Sequence, residues 1–231
     1  HVRSRRQRQM CIRDRFINDF SRGLNKVSNL LRVPLIGGDL IKTSQKSVTV
    51  SVSGEIKKNR HLSRSGAKHN QNIYLTGELG LARKGLEEIK ENCNKNIYRK
   101  KNVKRFIFPK LRLEISNSIS QFASSCIDVS DGFIADLEKI LIPSNQGAII
   151  NLDKIPRLDK SSLEDFTFGD DLELIFTADK KYHKKIMKLS DNSRINISLL
   201  GQTKKNSGIK YLLNNDEVRF PREKGWNHGK K

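Results

Sequence analysis

The sequence predicts an α+β fold of the α/β-sandwich kind. Short aliphatic runs that read as strands, apolar positions recurring at helical spacing, and the interleaving of the two along most of the chain all point there. Its 231 residues, 35% of them hydrophobic, suffice for one large domain or two small ones around ordinary cores. No aliphatic run approaches the ~20 residues needed to cross a bilayer, Ile140-Leu141-Ile142 being typical, so a soluble chain without a membrane partner is expected. Cys11, Cys93 and Cys126 are odd in number and contain no Cys-x-x-Cys pair. They indicate neither a disulfide framework nor a zinc site, and a reducing cytoplasm is the expected location.

In chain order, Val33-Pro34-Leu35-Ile36 before Gly37-Gly38-Asp39 reads as a buried strand ending in a tight turn with a carboxylate at its tip. Val48, Val50 and Val52 alternate with Ser47, Thr49, Ser51 and Ser53, the pattern of a half-buried strand. Composition shifts near Lys57 to Arg60, and a domain boundary is placed there. Ile73 to Thr76 reads as a strand closed by Gly77, with Leu79, Leu86 and Ile89 on a following helix. From Pro109, suited to an early helical position, Leu111, Ile115, Ile119 and Phe122 predict an amphipathic helix. A strand over Ser125–Asp128 then runs into a helix carrying Phe133, Ile134, Leu137, Ile140 and Leu141, with Ser130 and Asp131 placed to cap its start. Gly147–Leu152, Leu172–Thr177 and Ile195–Ser198 read as strands, with Tyr182, Ile186 and Leu189 on a helix before the last. Ile209–Leu213 and Glu217–Phe220 flank a hairpin turn at Asn214-Asn215-Asp216.

Charge is the strongest compositional signal: 45 Lys and Arg against 25 Asp and Glu give +20. Six arginines lie in the first fifteen residues against Asp14 alone, without an apolar stretch of the secretory kind. Gln9 to Asp14 looks like a translated adapter, so residues 1–15 are expected to be a non-native or disordered basic tail. A second basic run, Lys95 to Arg105, sits where a loop is expected, with Tyr98 its only interleaved aromatic. It favours a solvated loop or phosphate-attracting rim over a nucleic-acid groove, although a basic RNA-binding module stays open as an alternative.

Three acidic sites share one form: Asp39 after two glycines, Asp128 and Asp131 bracketing a strand-to-helix turn, and Asp170-Asp171 after Gly169. Each reads singly as a turn former or cap. Together they also suit Mg²⁺, which takes few ligands from any one segment alongside water and phosphate oxygens.

Leu35-Ile36-Gly37-Gly38-Asp39, Leu62 to Ala67, Ile127-Asp128-Val129-Ser130-Asp131-Gly132, Gly169 to Thr177, and Gly225-Trp226-Asn227-His228 fall in one order. In order and approximate spacing they resemble the thiamine-monophosphate kinase family, from about Phe16 to His228. The resemblance implies the two-domain aminoimidazole ribotide synthetase-like architecture. It also implies ATP-dependent, Mg²⁺-dependent phosphorylation of thiamine monophosphate to thiamine diphosphate by in-line transfer, in a cytoplasmic homodimer with no nucleic-acid partner. By position, Gly38, Asp39, Arg64 and Ser130 match nucleotide contacts, and Asp39, Asp128 and Asp131 match metal ligands. Asp170, often Glu in the family, and Trp226 match substrate contacts, while Asn227 stands where Asp is usual and Leu81 where an acidic or polar residue is common. No residue is implied as catalytic beyond positioning metal and substrates. Relatives in the superfamily that make selenophosphate or aminoimidazole ribotide remain alternatives. The family's N-terminal Gly-Asp-Asp-type segment has no counterpart before Phe16. The expectation is therefore a fragment: 16–58 the remnant of an ATP-binding, dimerising domain, 59–231 a whole C-terminal domain, inactive in isolation.

Overall fold

The computed structural model describes residues 5–41, 44–58, 60–91, 95–158, 162–205, 208–221 and 225. The chain divides into two compact units, His1–Ser53 and Gly54–Lys231, against the 58/59 boundary read from composition.

In the first unit, helix α1 (Arg5–Leu31) passes through position 15 without a break. Its intermediate-exposure positions Ile17, Leu24, Ser28 and Leu31 recur at helical spacing, a stripe the sequence reading overlooked. The helix ends as Arg32 takes a left-handed conformation (φ 55°), Val33 N–H donates to Ser28 O (3.0 Å), and Pro34 follows. The two strands expected next are not formed. Val33–Ile36 and Val48–Val52 lie outside any strand and are exposed, Ile36 by 91% and Val52 by 79%. Period-two patterning makes a strand only when a neighbouring edge takes up its N–H and C=O groups, and among the described residues none does so here.

The second unit is built on a seven-stranded sheet: β1 (Asn72–Thr76), β2 (Ala123–Asp128), β3 (Gln146–Asn151), β4 (Leu174–Ala178), β5 (Ile197–Lys205), β6 (Ile209–Leu213) and β7 (Asp216–Val218). Their order is β2-β4-β1-β5-β3-β6-β7, with every pair antiparallel except β3 and β6. The turn between β6 and β7 is Asn214-Asn215, both at positive φ, as a two-residue hairpin of matching twist requires.

Alternation along β1 and β4 sends side chains to two cores. Ile73, Leu75 and Ile175 face helix α5 (Phe133–Leu141), which buries Phe133, Ile134, Leu137, Ile140 and Leu141 on one stripe. Tyr74, Phe176 and Ala178 face the opposite way, with Ile115 and Ile119 of α4 (Leu113–Ile119) and Ile186 of α6 (His183–Ser193). Helices thus cover both faces of the sheet, and its central strand β1 is buried throughout. Tyr74 stacks on Phe176 at 5.1 Å, and its hydroxyl meets Asn72 and His183, which satisfies the polar end of a buried ring.

Helix α2 (Leu81–Glu91) follows β1. The basic run is not a loop: Lys95–Arg99 forms a short 3₁₀ helix and Lys101–Ile107 forms α3. Val103 and Arg105 point inward from α3, so residues that charge alone marked as solvated include a buried cation. Pro109 lies ahead of α4 rather than in it. Among the described residues no helix is long and apolar enough to cross a membrane.

Candidate active site

The antiparallel pairing gathers the C-terminal ends of β1 and β2 with the N-terminal ends of β4 and β5, because Asp128 faces Leu174, Leu75 faces Ile175, and Thr76 faces Ile197. The acidic motifs of the second unit meet at this end. Past β2 the chain turns through Val129-Ser130-Asp131-Gly132 into α5, and the segment Gly169-Asp170-Asp171-Leu172 lies against that turn. Asp170 N–H donates to Ser130 O (3.1 Å), Leu172 N–H to Val129 O (2.9 Å), and Val129 N–H to Glu173 O (2.7 Å).

The approach is close enough that Gly169 admits no side chain: a Cβ there would overlap the Ser130 carbonyl. Gly132, at φ +120°, likewise abuts Thr167 O. Gly225 passes against the Asp131 carbonyl of the same turn. Asp170 and Leu172 both sit at positive φ (64° and 50°), a conformation costing about 1–3 kcal/mol per non-glycine residue and concentrated at functional sites.

Sequence reasoning made Ser130 and Asp131 the caps of α5. The structure corrects this: the N-cap is Gly132, without a side-chain bond of its own. The capping carboxylate is Asp136, fully buried, whose Oδ2 accepts from the N–H groups of Ser130 (2.9 Å), Asp131 (2.9 Å) and Gly132 (3.2 Å). Those three donors are therefore not available to a bound anion. The signal for Asp136 was an acid in the first turn of a helix, which the motif reading passed over. Lys139 Nζ bridges Asp136 Oδ1 (2.7 Å) and Asp131 Oδ2 (2.5 Å). Burial alone would lower this ammonium's pKa, but the hydrogen bonds and charges of the two aspartates raise it above its ordinary value.

Behind the turn lies a second polar assembly that the sequence reading did not assign. Glu173 is buried and accepts from Thr76 Oγ1 (2.7 Å), Arg105 Nη2 (2.6 Å) and, bidentately, Arg112 Nε and Nη2 (2.7 and 2.5 Å). Arg105 also donates to Asp171 O (2.6 Å), and burial holds its pKa below the ordinary value despite Glu173. Asp171 accepts from Gly80 and Ala82 N–H (2.8 and 3.0 Å), capping α2 from a distance. Burial pushes its carboxyl up to about 6, against the lowering effect of those two bonds. Both acids sit in the matched Gly169 to Thr177 segment, but only their burial reveals a role in holding it.

Of the residues singled out from sequence, Asp128, Ser130, Asp131 and Asp170 share this turn, with Asp128 and Asp170 exposed and Asp131 half-buried. Arg64 is exposed on a loop beside β2, where Cys126 N–H donates to Ser63 O (3.0 Å). Gly38 and Asp39 belong to the first unit, where Asp39 Oδ1 accepts from Leu40 N–H (2.8 Å). Trp226 lies outside the described residues. Among those residues no three His, Cys, Asp or Glu side chains form a ready-made metal cluster. Of the three carboxylates at the turn, Asp128 and Asp131 are the two matched to metal ligands. This donor chemistry suits a hard cation that takes one or two protein oxygens and completes its shell with water and phosphate.

The strand-to-helix turn bearing acids, in a mixed sheet covered by helices on both faces, belongs to a fold shared with solved thiamine-monophosphate kinases and with PurL. A crystal structure of thiamine-monophosphate kinase from Stenotrophomonas maltophilia K279a superimposes with a TM-score of 0.61 at 22% identity, covering 71% of this chain and 56% of that one. AaThiL complexed with AMPPCP and TMP gives 0.58 at 24%, covering 72% and 54%. The Thermotoga maritima PurL complexed with ATP gives 0.54 at 12%, covering 71% and 27%. In sequence, the thiamine-monophosphate kinase of Buchnera aphidicola subsp. Acyrthosiphon pisum is 35% identical over 227 residues, 92% of this chain and 69% of the relative. That of Leptospira interrogans is 31% identical over 219 residues, 91% and 69%. No family model matches the chain. The chain belongs to the thiamine-monophosphate kinase family, and it spans about 69% of the length of these relatives and 56% of the Stenotrophomonas structure.

Proposed function

We propose that this chain is the larger part of an enzyme that transfers the γ-phosphoryl group of ATP to the phosphate of thiamine monophosphate, giving thiamine diphosphate and ADP. The observation that carries this reading is the convergence of Asp128, Ser130, Asp131 and Asp170 on one turn, in a chain 35% identical to a thiamine-monophosphate kinase. Such a transfer joins two polyanions in line, so positioning and charge neutralisation supply most of the catalysis.

Asp128 and Asp131 would hold Mg²⁺, which neutralises charge on the phosphates when bound. Lys139 holds Asp131 in place through its hydrogen bond. Ser130 and Arg64 are assigned to the nucleotide, Arg64 as a fork for phosphate oxygens. Gly38 and Asp39 are assigned the same role from the first unit. Asp170, fixed by the bond to Ser130 O, and Trp226 would face the thiamine moiety, the indole offering its face to a cationic ring. The exposed Val48-Val50-Val52 segment is the proposed homodimer edge, and the cytoplasm the proposed location.

The test is thiamine diphosphate formation from thiamine monophosphate, ATP and Mg²⁺, by this chain and by the same chain preceded by its upstream reading frame. The longer protein is expected to turn over, and Asp128→Asn in it to lose about 10²-fold or more in kcat while unfolding at an unchanged temperature. Full turnover by Asp128→Asn would remove the metal role. ATP binding without competition by thiamine monophosphate would move the enzyme to another acceptor within the superfamily.

A further inference from the structure

On the same end of the sheet, an open groove of about 970 Å³ is lined by none of the residues assigned above to nucleotide, metal or thiamine. Arg99, Lys101, Lys104, Lys110 and Arg194 line it, all exposed, and among the described residues none of the five is in an ion pair. The acids lining it are Glu78 and Glu173, and Glu173 is already committed to Arg105 and Arg112.

Arg105 also lines the groove. Its side chain is only 6% exposed, and its Nη1 is buried without a hydrogen-bond partner although Nη2 makes two bonds. A buried guanidinium N–H left unpaired costs roughly 1–3 kcal/mol or more and calls for a missing acceptor. Five unpaired cations crowded into one groove repel one another, and a multivalent anion relieves both costs at once. Tyr98 and Phe108 add exposed ring faces to the lining, 55% and 72% exposed.

We infer that this groove binds a phosphorylated small molecule, its phosphate or diphosphate held between Arg105 and the lysines of α3, with a planar group against Tyr98 or Phe108. The inference does not rest on the kinase reading. Small-molecule scale is favoured over RNA because the groove's volume falls within the range of ligand cavities, ~300–1,000 Å³, and its inner donor is one buried fork rather than an extended stripe.

The probe is inorganic pyrophosphate, titrated calorimetrically into the 231-residue chain at fixed ionic strength in EDTA, so that metal-dependent phosphate binding elsewhere stays silent. One site is expected. Lys101→Ala with Lys104→Ala, both exposed and so harmless to folding, should weaken it about tenfold. Arg105→Lys, which keeps the charge but loses the fork, should weaken it as well. Lys204→Ala with Lys205→Ala, at the opposite end of β5 from this groove, should leave it within about twofold. Equal weakening by both double variants, or no binding at all, would overturn the proposal. So would a short single-stranded RNA that displaces pyrophosphate with a steep salt dependence, since it would assign the groove to nucleic acid.

Discussion

Asp171 is a carboxylate that folding takes out of water, and its titration follows. In the folded protein its pKa stands at about 6, against an ordinary 3.8, so between these values the folded state holds a proton that the unfolded state has released. The contribution of this residue to stability is therefore full below about pH 4 and is lost as pH rises through 6. Two units correspond to about 3 kcal/mol. Urea denaturation at pH 4.5 and 7.5 should show Asp171→Asn gaining stability relative to the parent as pH rises, and a difference that does not change with pH would contradict this account. Lys139 sets a second residue-scale expectation. It occupies Asp131 when no cation does, so Lys139→Gln should tighten Mg²⁺ binding in the presence of ATP by up to about fivefold, the worth of a part-exposed ion pair. Weaker binding would mean that the lysine serves the phosphates rather than competing for their counter-ion.

At the scale of elements, Glu173 joins α3 and the approach to α4 to the start of β4, through Arg105 and Arg112. Glu173→Ala leaves two largely buried guanidinium groups without their anion and should cost about 3–5 kcal/mol, read as a fall in Tm. Gly169→Ala should distort the turn instead: reduced ATP binding with α5 intact by circular dichroism is expected, because the new methyl meets the Ser130 carbonyl. Much of this scale was legible beforehand. The stripes of α5 and α6 and the strands β1 to β4 and β6 follow from short-range periodicity, and the Ser130-Asp131-Gly132 turn from its motif, whereas β5, expected over Ile195–Ser198, runs over Ile197–Lys205. What escaped was set by distant partners. Asp136 looked like any acid in a first helical turn, and Arg105 like one more cation in a charged run. Its inward orientation depends on Glu173, 68 residues away. Val48, Val50 and Val52 failed as a strand for the converse reason: the pattern was present and the pairing edge was not.

At the scale of the whole molecule, the +20 charge is unevenly spent, with one concentration in the groove beside α3 and another in the first turns of α1. The exposed valines from Val48 to Val52 leave an apolar surface uncovered, so sedimentation velocity should detect concentration-dependent association that Val50→Lys reduces. Insensitivity to that substitution would place the contact elsewhere. The strand order carries a further consequence, for synthesis rather than catalysis. Among the seven strands of this sheet β1 is the first to leave the ribosome, yet it lies between β4 and β5, whose residues follow roughly a hundred positions later. At about 5–20 residues per second, an apolar segment waits some 5–20 seconds for its neighbours, an interval in which chaperones have the first claim on it.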